Sequence, residues 1–291
     1  MKKVFKVIGI SALSLVALLV VAAVVIRFFF KDEAITYRKK IYVELLREGK
    51  YAADTLILKP VYCMDDERLA EVKTRFRLDT LFDGTEDVYQ KALKIQRFVS
   101  DHLLHGNPPQ MPERKNAIDL WAFADTSGYH LNCRHHSILM RDMLMSVGIE
   151  ARYITCLPED AEDQDCHVVN EIFSPELNKW VMIDSDMDKV VTDMQGVPLS
   201  LRELRDKLIA DEPYLINGQE NKGQHYDMYM AKNSYWYSRH EVSRIDDETG
   251  DLLAGDRKIA LIPAGFVVES GGTQWLFESS IHTTNPEEFW K

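Results

Sequence analysis

The sequence predicts an α+β fold behind an amino-terminal transmembrane helix. Apolar residues recur at three- and four-residue spacing over residues 86–104 and again after Cys133, the signature of helices with one buried face. Three consecutive segments, ARYITCL, HVVNEIF and WVMID, are rich in β-branched and aromatic residues and bounded by turn residues, as strands are. The first thirty residues hold an uncharged apolar run unlike anything downstream. With 46% hydrophobic residues in 291, the chain can bury one large core with additions at both ends.

The run Val7–Ile26 is twenty residues without a charge, and only Ser11 and Ser14 are polar. As a helix it spans roughly 30 Å, the thickness of a bilayer core. Lys2, Lys3 and Lys6 precede it as in a secretory signal, but Arg27-Phe28-Phe29-Phe30 offers no small-residue cleavage site. The expectation is an uncleaved single-pass anchor contacting the lipid bilayer through residues 7–26. Its amino terminus would be cytoplasmic and the main domain extracytoplasmic, although Arg27, Lys31, Arg38, Lys39 and Lys40 crowd the far flank.

Residues 32–50 read as an amphipathic helix, and 51–82 as mixed structure interrupted by Pro60. Val88, Ala92, Ile95, Val99 and Leu103 share one helical face, which Gly106-Asn107-Pro108-Pro109 ends. A short helix over 117–124 follows. The next helix runs from Cys133, with His136, Met140, Leu144 and Leu139, Met143, Val147 as adjacent stripes and Gly148 as a left-handed stop. The three strands come next, then a helix near 200–211. An aromatic stretch from about 230 and a strand-like tail with a turn at Glu248-Thr249-Gly250-Asp251 complete the chain. This order divides it into an anchor (1–30), a stalk and extension (31–85), a core (86–195) and a carboxy-terminal extension packed on that core (196–291).

Residues 31–291 carry all 46 acids and 31 of the basic residues, a formal charge of −15. Such a surface repels phosphate backbones, and no basic patch with interleaved aromatics offsets it, so nucleic acid is not an expected partner. The four cysteines, Cys63, Cys133, Cys156 and Cys166, are too few for a disulfide scaffold of this size. An oxidising compartment would permit Cys156 with Cys166, or either with Cys63.

The chemistry centres on GYHLNCRHHSILM, residues 128–140. Asn132 is a good helix cap, which puts Cys133 at the first helical position. Backbone N–H groups there favour a thiolate, the nucleophilic form, and could also hold the oxyanion of a tetrahedral intermediate. Arg134, His135 and His136 suit that end of a helix only if solvated. His167 lies on HVVNEIF. If Phe173 pairs with Asn178 across a four-residue loop, His167 faces Asp184 directly on one side of the sheet, as a base faces its orienting carboxylate. A lone cysteine is usually an inert core thiol; here its place at a helix start, with two suitably spaced partners, points to a nucleophile.

Zinc would need closely spaced ligands, and Cys133, His135, His136, Cys156, Cys166 and His167 show no cysteine pair at finger or ribbon spacing. Asp184, Asp186 and Asp188 fail as a calcium loop, because Lys189 and Gln195 stand where glycine and glutamate are required. No metal or cofactor is expected.

The order of Cys133, His167 and Asp184, with Gly128 before the cysteine, GIEARYI after its helix, His167-x-x-x-Glu171-Ile172 and Trp180-Val181-x-x-Asp184, resembles the transglutaminase-like superfamily over roughly residues 86–190. The resemblance implies a papain-like core whose nucleophile helix packs on an antiparallel sheet carrying the histidine and aspartate. It also implies acyl transfer or hydrolysis at amide bonds, with an aromatic near the nucleophile, Trp121 or Tyr129 here, helping to bind the oxyanion or substrate. Two positions depart from the family's habit: Cys166 precedes the histidine where a small residue is common, and Val169 follows it where an aromatic is. The aromatic run 225–240 reads either as a wall over the site or as a cover packed on the core.

The resulting expectation is a membrane-anchored cysteine enzyme whose substrate is a peptide or protein near the membrane, more hydrolase than crosslinker. The alternative is a non-catalytic binding or assembly module on the same fold.

Overall fold

The computed structural model describes residues 31–128, 130–245 and 257–291. The apolar run Val7–Ile26, Tyr129 and the turn expected at Glu248–Asp251 lie outside them. Among the described residues no helix is long and apolar enough to cross a membrane.

Helix α1 (Lys31–Glu48) buries Ile35, Val43 and Leu46 along one side. Strand β1 (Val61–Tyr62) and helix α2 (Glu67–Arg75) follow, the latter capped by the Asp66 side chain accepting from the Arg68 N–H. Helix α3 (Val88–His102) opens with a capping box, in which Asp87 and Gln90 each accept the other's backbone N–H. Strand β2 (Leu104–His105), helix α4 (Ala117–Ser127) and strand β3 (His130–Leu131) lead to helix α5 (Cys133–Ser146). Strands β4 (Ala151–Leu157), β5 (His167–Ser174) and β6 (Lys179–Ile183) form a meander. Strand β7 (Val191–Thr192), helix α6 (Leu201–Ala210), strands β8 (Leu215–Ile216) and β9 (Gln219–Glu220) and helix α7 (His225–Lys232) come next. The chain finishes with β10 (Trp236–His240), β11 (Val242–Ser243), β12 (Lys258–Leu261), α8 (Gln274–Glu278), β13 (Ile281–Thr283) and α9 (Pro286–Phe289).

The main sheet has six strands in the order β13-β12-β10-β4-β5-β6, antiparallel except where β12 meets β13. The α+β class therefore holds. The carboxy-terminal region does more than pack on the core: β10, β12 and β13 are half the strands of the sheet.

Alternation along the strands divides the interior into two layers. Tyr153, Val168, Ile172 and Val181 face α2 to α5. Ile154, Val169 and Met182 face the opposite way, toward α1, α6 and α7. Helix α5 is covered by sheet on one side and by α2, α3 and α4 on the other, so every residue from His135 to Met145 is buried, not only the two expected stripes. Its buried Arg141 and Asp142 satisfy each other at 2.7 Å, and Asp142 also accepts the Ala117 N–H at 2.9 Å. A buried charge is tolerable only when paired in this way.

The β5–β6 hairpin departs from the expected register. The four-residue loop is 175–178, with Ser174 opposite Lys179 and Phe173 opposite Trp180. Asn178 takes φ +51, a left-handed turn conformation that asparagine tolerates, and so cannot act as a strand partner for Phe173. The shift is by two residues, which preserves the face. His167 and Asp184 thus become diagonal neighbours instead of direct opposites.

Candidate active site

Asn132 is extended (φ −85°, ψ 170°), and its side chain accepts from the His135 N–H at 3.1 Å, so the helix starts at Cys133 as its sequence dictates. Cys133 is partly exposed, and its N–H, at the first helical position, has no intrahelical acceptor. His135 and His136 are buried instead of solvated. Burial, aided by neighbouring cations, pushes His135 down to about 3, and burial also lowers His136. Both rings are therefore neutral near pH 7 and add no charge to the positive end of the helix dipole.

His167 starts β5 and is fully buried. Its Nε2 lies 2.7 Å from Asp184 Oδ2. Asp184 is buried too, and three donors surround it: His167, the Tyr226 hydroxyl at 2.8 Å on Oδ2 and the Met187 N–H at 3.0 Å on Oδ1. Burial alone would lower the pKa of His167, but the Asp184 carboxylate reverses this and the Cys133 thiol adds to it, raising the imidazole well above its ordinary 6.5. Burial would raise Asp184, and the His167 charge with these hydrogen bonds holds it below 3.8.

The other ring nitrogen, Nδ1, is buried and has no partner of hydrogen-bond geometry. With Asp184 occupying Nε2, Nδ1 is the atom left to exchange a proton with Cys133. The thiol itself rests 4.0 Å from the Cys166 carbonyl oxygen.

Cys133 opens into a cleft of about 560 Å³. Its walls come from four places: His105 after α3, Arg134 beside the nucleophile, the 164–168 segment, and Met187 with Tyr229 opposite. Tyr229 meets the His167 ring edge-on at 5.3 Å and donates to Asp165 Oδ1 at 3.0 Å.

The structure thus brings Cys133, His167 and Asp184 together. It places Trp121 elsewhere: the indole stacks on Phe98 (centroids 5.5 Å, 10°) and packs against Phe76 and His102, outside the cleft wall. The aromatic run 225–240 serves both readings, since Tyr226 and Tyr229 reach the site while Trp236 and Tyr237 are core. Sequence reasoning missed the individual contacts of Tyr226 with Asp184 and of Tyr229 with His167. The helical spacing of Tyr226 and Tyr229 was the available signal.

Cys133, Cys156 and Cys166 are free thiols. Among the described residues no three His, Cys, Asp or Glu side chains group to hold a metal ion.

Residues 77–185 match the family model of the transglutaminase-like superfamily. This segment is a transglutaminase-like domain. It contains Cys133, His167 and Asp184 and ends one residue past the aspartate. No curated protein sequence matches the chain. Solved structures similar to it include a candidate cysteine protease from Cytophaga hutchinsonii, 19% identical over 55% of this chain and 49% of that one, with a TM-score of 0.32. They also include LapG of Legionella pneumophila, 16% identical over 44% and 75% of the two chains, with a TM-score of 0.29. The chain spans about half the length of the Cytophaga protein. Tyr226 and Tyr229 lie outside the transglutaminase-like domain, so its site is completed by the following region of the chain.

Proposed function

We propose that this protein is a cysteine hydrolase of amide bonds. Cys133 attacks the carbonyl carbon, the helix-start N–H groups bind the oxyanion, and His167 delivers its proton to the departing amine. Asp184 holds the ring and stabilises its charge before that transfer. The thioester left on Cys133 is then resolved by water.

The observation that carries this reading is the His167 ring: one nitrogen clamped by a buried carboxylate at 2.7 Å, the other buried, unsatisfied and left for the thiol. His135 and His136 also each leave one buried ring nitrogen without a partner, but their other nitrogen meets the Asn132 side chain and the Leu104 carbonyl; His167 alone of the three is held by a buried carboxylate at hydrogen-bond distance.

The apolar run Val7–Ile26 supports a tether that confines the enzyme to the membrane surface on the extracytoplasmic side, with peptides or proteins near the bilayer as substrates. Digestion of a peptide library by the full chain in detergent tests the activity. Cleavage by the wild type and none by Cys133→Ala is expected; equal cleavage patterns would refute it.

A further inference from the structure

Among the described residues, Arg134, Asp165 and Asp186 bring formal charge to the walls of the cleft into which Cys133 opens. The two carboxylates are already engaged. Asp165 accepts from the Tyr229 hydroxyl at 3.0 Å through Oδ1 and from Lys232 Nζ at 2.9 Å through Oδ2. Asp186, with its side chain 1% exposed, turns both oxygens to His105 Nδ1, at 2.9 and 3.0 Å. Arg134 is different. It is partly exposed, and among the described residues its guanidinium has no ion pair, hydrogen bond or ring contact.

Nothing local accounts for a cation at this place. Arg134 is the second residue of α5, in a first turn without an acidic residue, where the helix dipole disfavours positive charge. Its charge bears on the buried His135 ring together with that of Lys115, so no neighbour on that side answers it. Its charge also reaches Cys166: burial and the Cys133 thiol raise that thiol's pKa, and Arg134 pulls it back. The Cys166 carbonyl oxygen is 4.0 Å from the Cys133 sulfur, so the cation stands over the same stretch of cleft as the nucleophile. Adjacent Cα atoms are about 3.8 Å apart, and an extended peptide advances about 3.5 Å per residue. The cation therefore falls within a few residues of any bond that Cys133 attacks. On a chain of strongly negative net charge, it acts by contact and not by long-range steering.

We propose that Arg134 is the specificity-determining residue of the cleft and receives a carboxylate of the substrate within a few residues of the scissile amide. This rests on the amide-hydrolase reading above and names the substrate class, acidic peptides. A guanidinium takes a carboxylate through two parallel N–H···O bonds, so the contact fixes orientation as well as charge. The carboxylate belongs either to an Asp or Glu side chain or to a free peptide carboxy terminus. The chemistry at Arg134 is the same for both.

The test is digestion by the full chain in detergent of a peptide library in two forms, with free and with amidated carboxy termini. The wild type should cleave, dependent on Cys133, at sites enriched in Asp or Glu in both forms, or near the terminus of the free form alone. The first pattern assigns the side chain and the second the terminus. For the selected position, matched carboxylate, carboxamide and lysine peptides then give kcat/KM. The carboxylate should lead the carboxamide by about 10- to 10²-fold in the wild type, mainly through KM, and this ratio should collapse in Arg134→Gln. Arg134→Glu should prefer the lysine peptide to the carboxylate, an inversion that misfolding cannot produce. Wild-type cleavage indifferent to the carboxylate would overturn the inference and leave the hydrolase reading standing. So would a ratio that survives in Arg134→Gln, or a uniform fall on every peptide, which would assign the cation to the thiolate. A wild type without Cys133-dependent cleavage would overturn the hydrolase reading and this inference with it.

Discussion

Asp184 is the most demanding residue in the site, because a fully buried carboxylate is tolerated only while its charge is answered. His167, Tyr226 and the Met187 N–H answer it. The two shifts fix the sign of its pH dependence. His167 has a folded pKa above 6.5, so its share of the stability is complete below 6.5 and is lost as pH rises through the raised value. Asp184 has a folded pKa below 3.8, so its share is complete above 3.8 and is lost as pH falls through the depressed value. Thermal melts of wild type and Asp184→Asn should therefore differ most between pH 3.8 and 6.5, and the gap should close on the alkaline side. A gap that widens steadily with pH would contradict the ion pair. The same variant should lose activity on the order of 10²-fold or more, through loss of ring orientation.

At the scale of elements, the nucleophile helix was legible because local rules and tertiary packing agree. Asn132 caps, Cys133 starts, and Leu139, Met140, Met143 and Leu144 are buried as their spacing requires. Asn132→Ala should lower stability by about 1 kcal/mol and slow Cys133 alkylation, whereas Asn132→Asp should keep the cap. Denaturant melts and iodoacetamide kinetics read the two effects, and an unchanged alkylation rate in Asn132→Ala would separate cap from nucleophile. The β5–β6 pairing shows where sequence reading stops. Loop length was readable, but the ladder position was set by Asn178 adopting a left-handed conformation, which several loop residues could have taken. Only a shift of even size kept His167 and Asp184 on one face. The burial of His135 and His136 was equally hidden, since it depends on how α2, α3 and α4 close over α5.

For the molecule as a whole, the site sits where distant chain segments meet. Helix α7 carries Tyr226 and Tyr229 into the site, and α1 braces it from behind. The brace is ionic: Lys39 Nζ lies 2.9 Å from Asp227, which also accepts from Tyr214 at 2.5 Å, with Lys39 12% and Asp227 2% exposed. A separate cavity of about 450 Å³ lies between α1 and residues 211–223, reaches Asp227 and does not include Cys133. Lys39→Met leaves Asp227 buried without its cation and should cost about 3 kcal/mol, seen as a lower Tm. Because Asp227 adjoins Tyr226, activity should fall before the global melt. Parallel loss of activity and structure would show that α1 does not govern the site separately. The aromatic run 225–240 offered a wall over the site as one reading, but the ion pair that ties α7 to α1 had no motif to announce it, because Lys39 and Asp227 are nearly two hundred residues apart.

The central claim is that Cys133 and His167 act as one unit, and alkylation of Cys133 by iodoacetamide at pH 6 tests it most directly. The observed geometry predicts a rate at least about tenfold higher in the wild type than in His167→Ala. Equal rates in the two proteins, both rising only toward the ordinary thiol pKa of about 8.5, would contradict it.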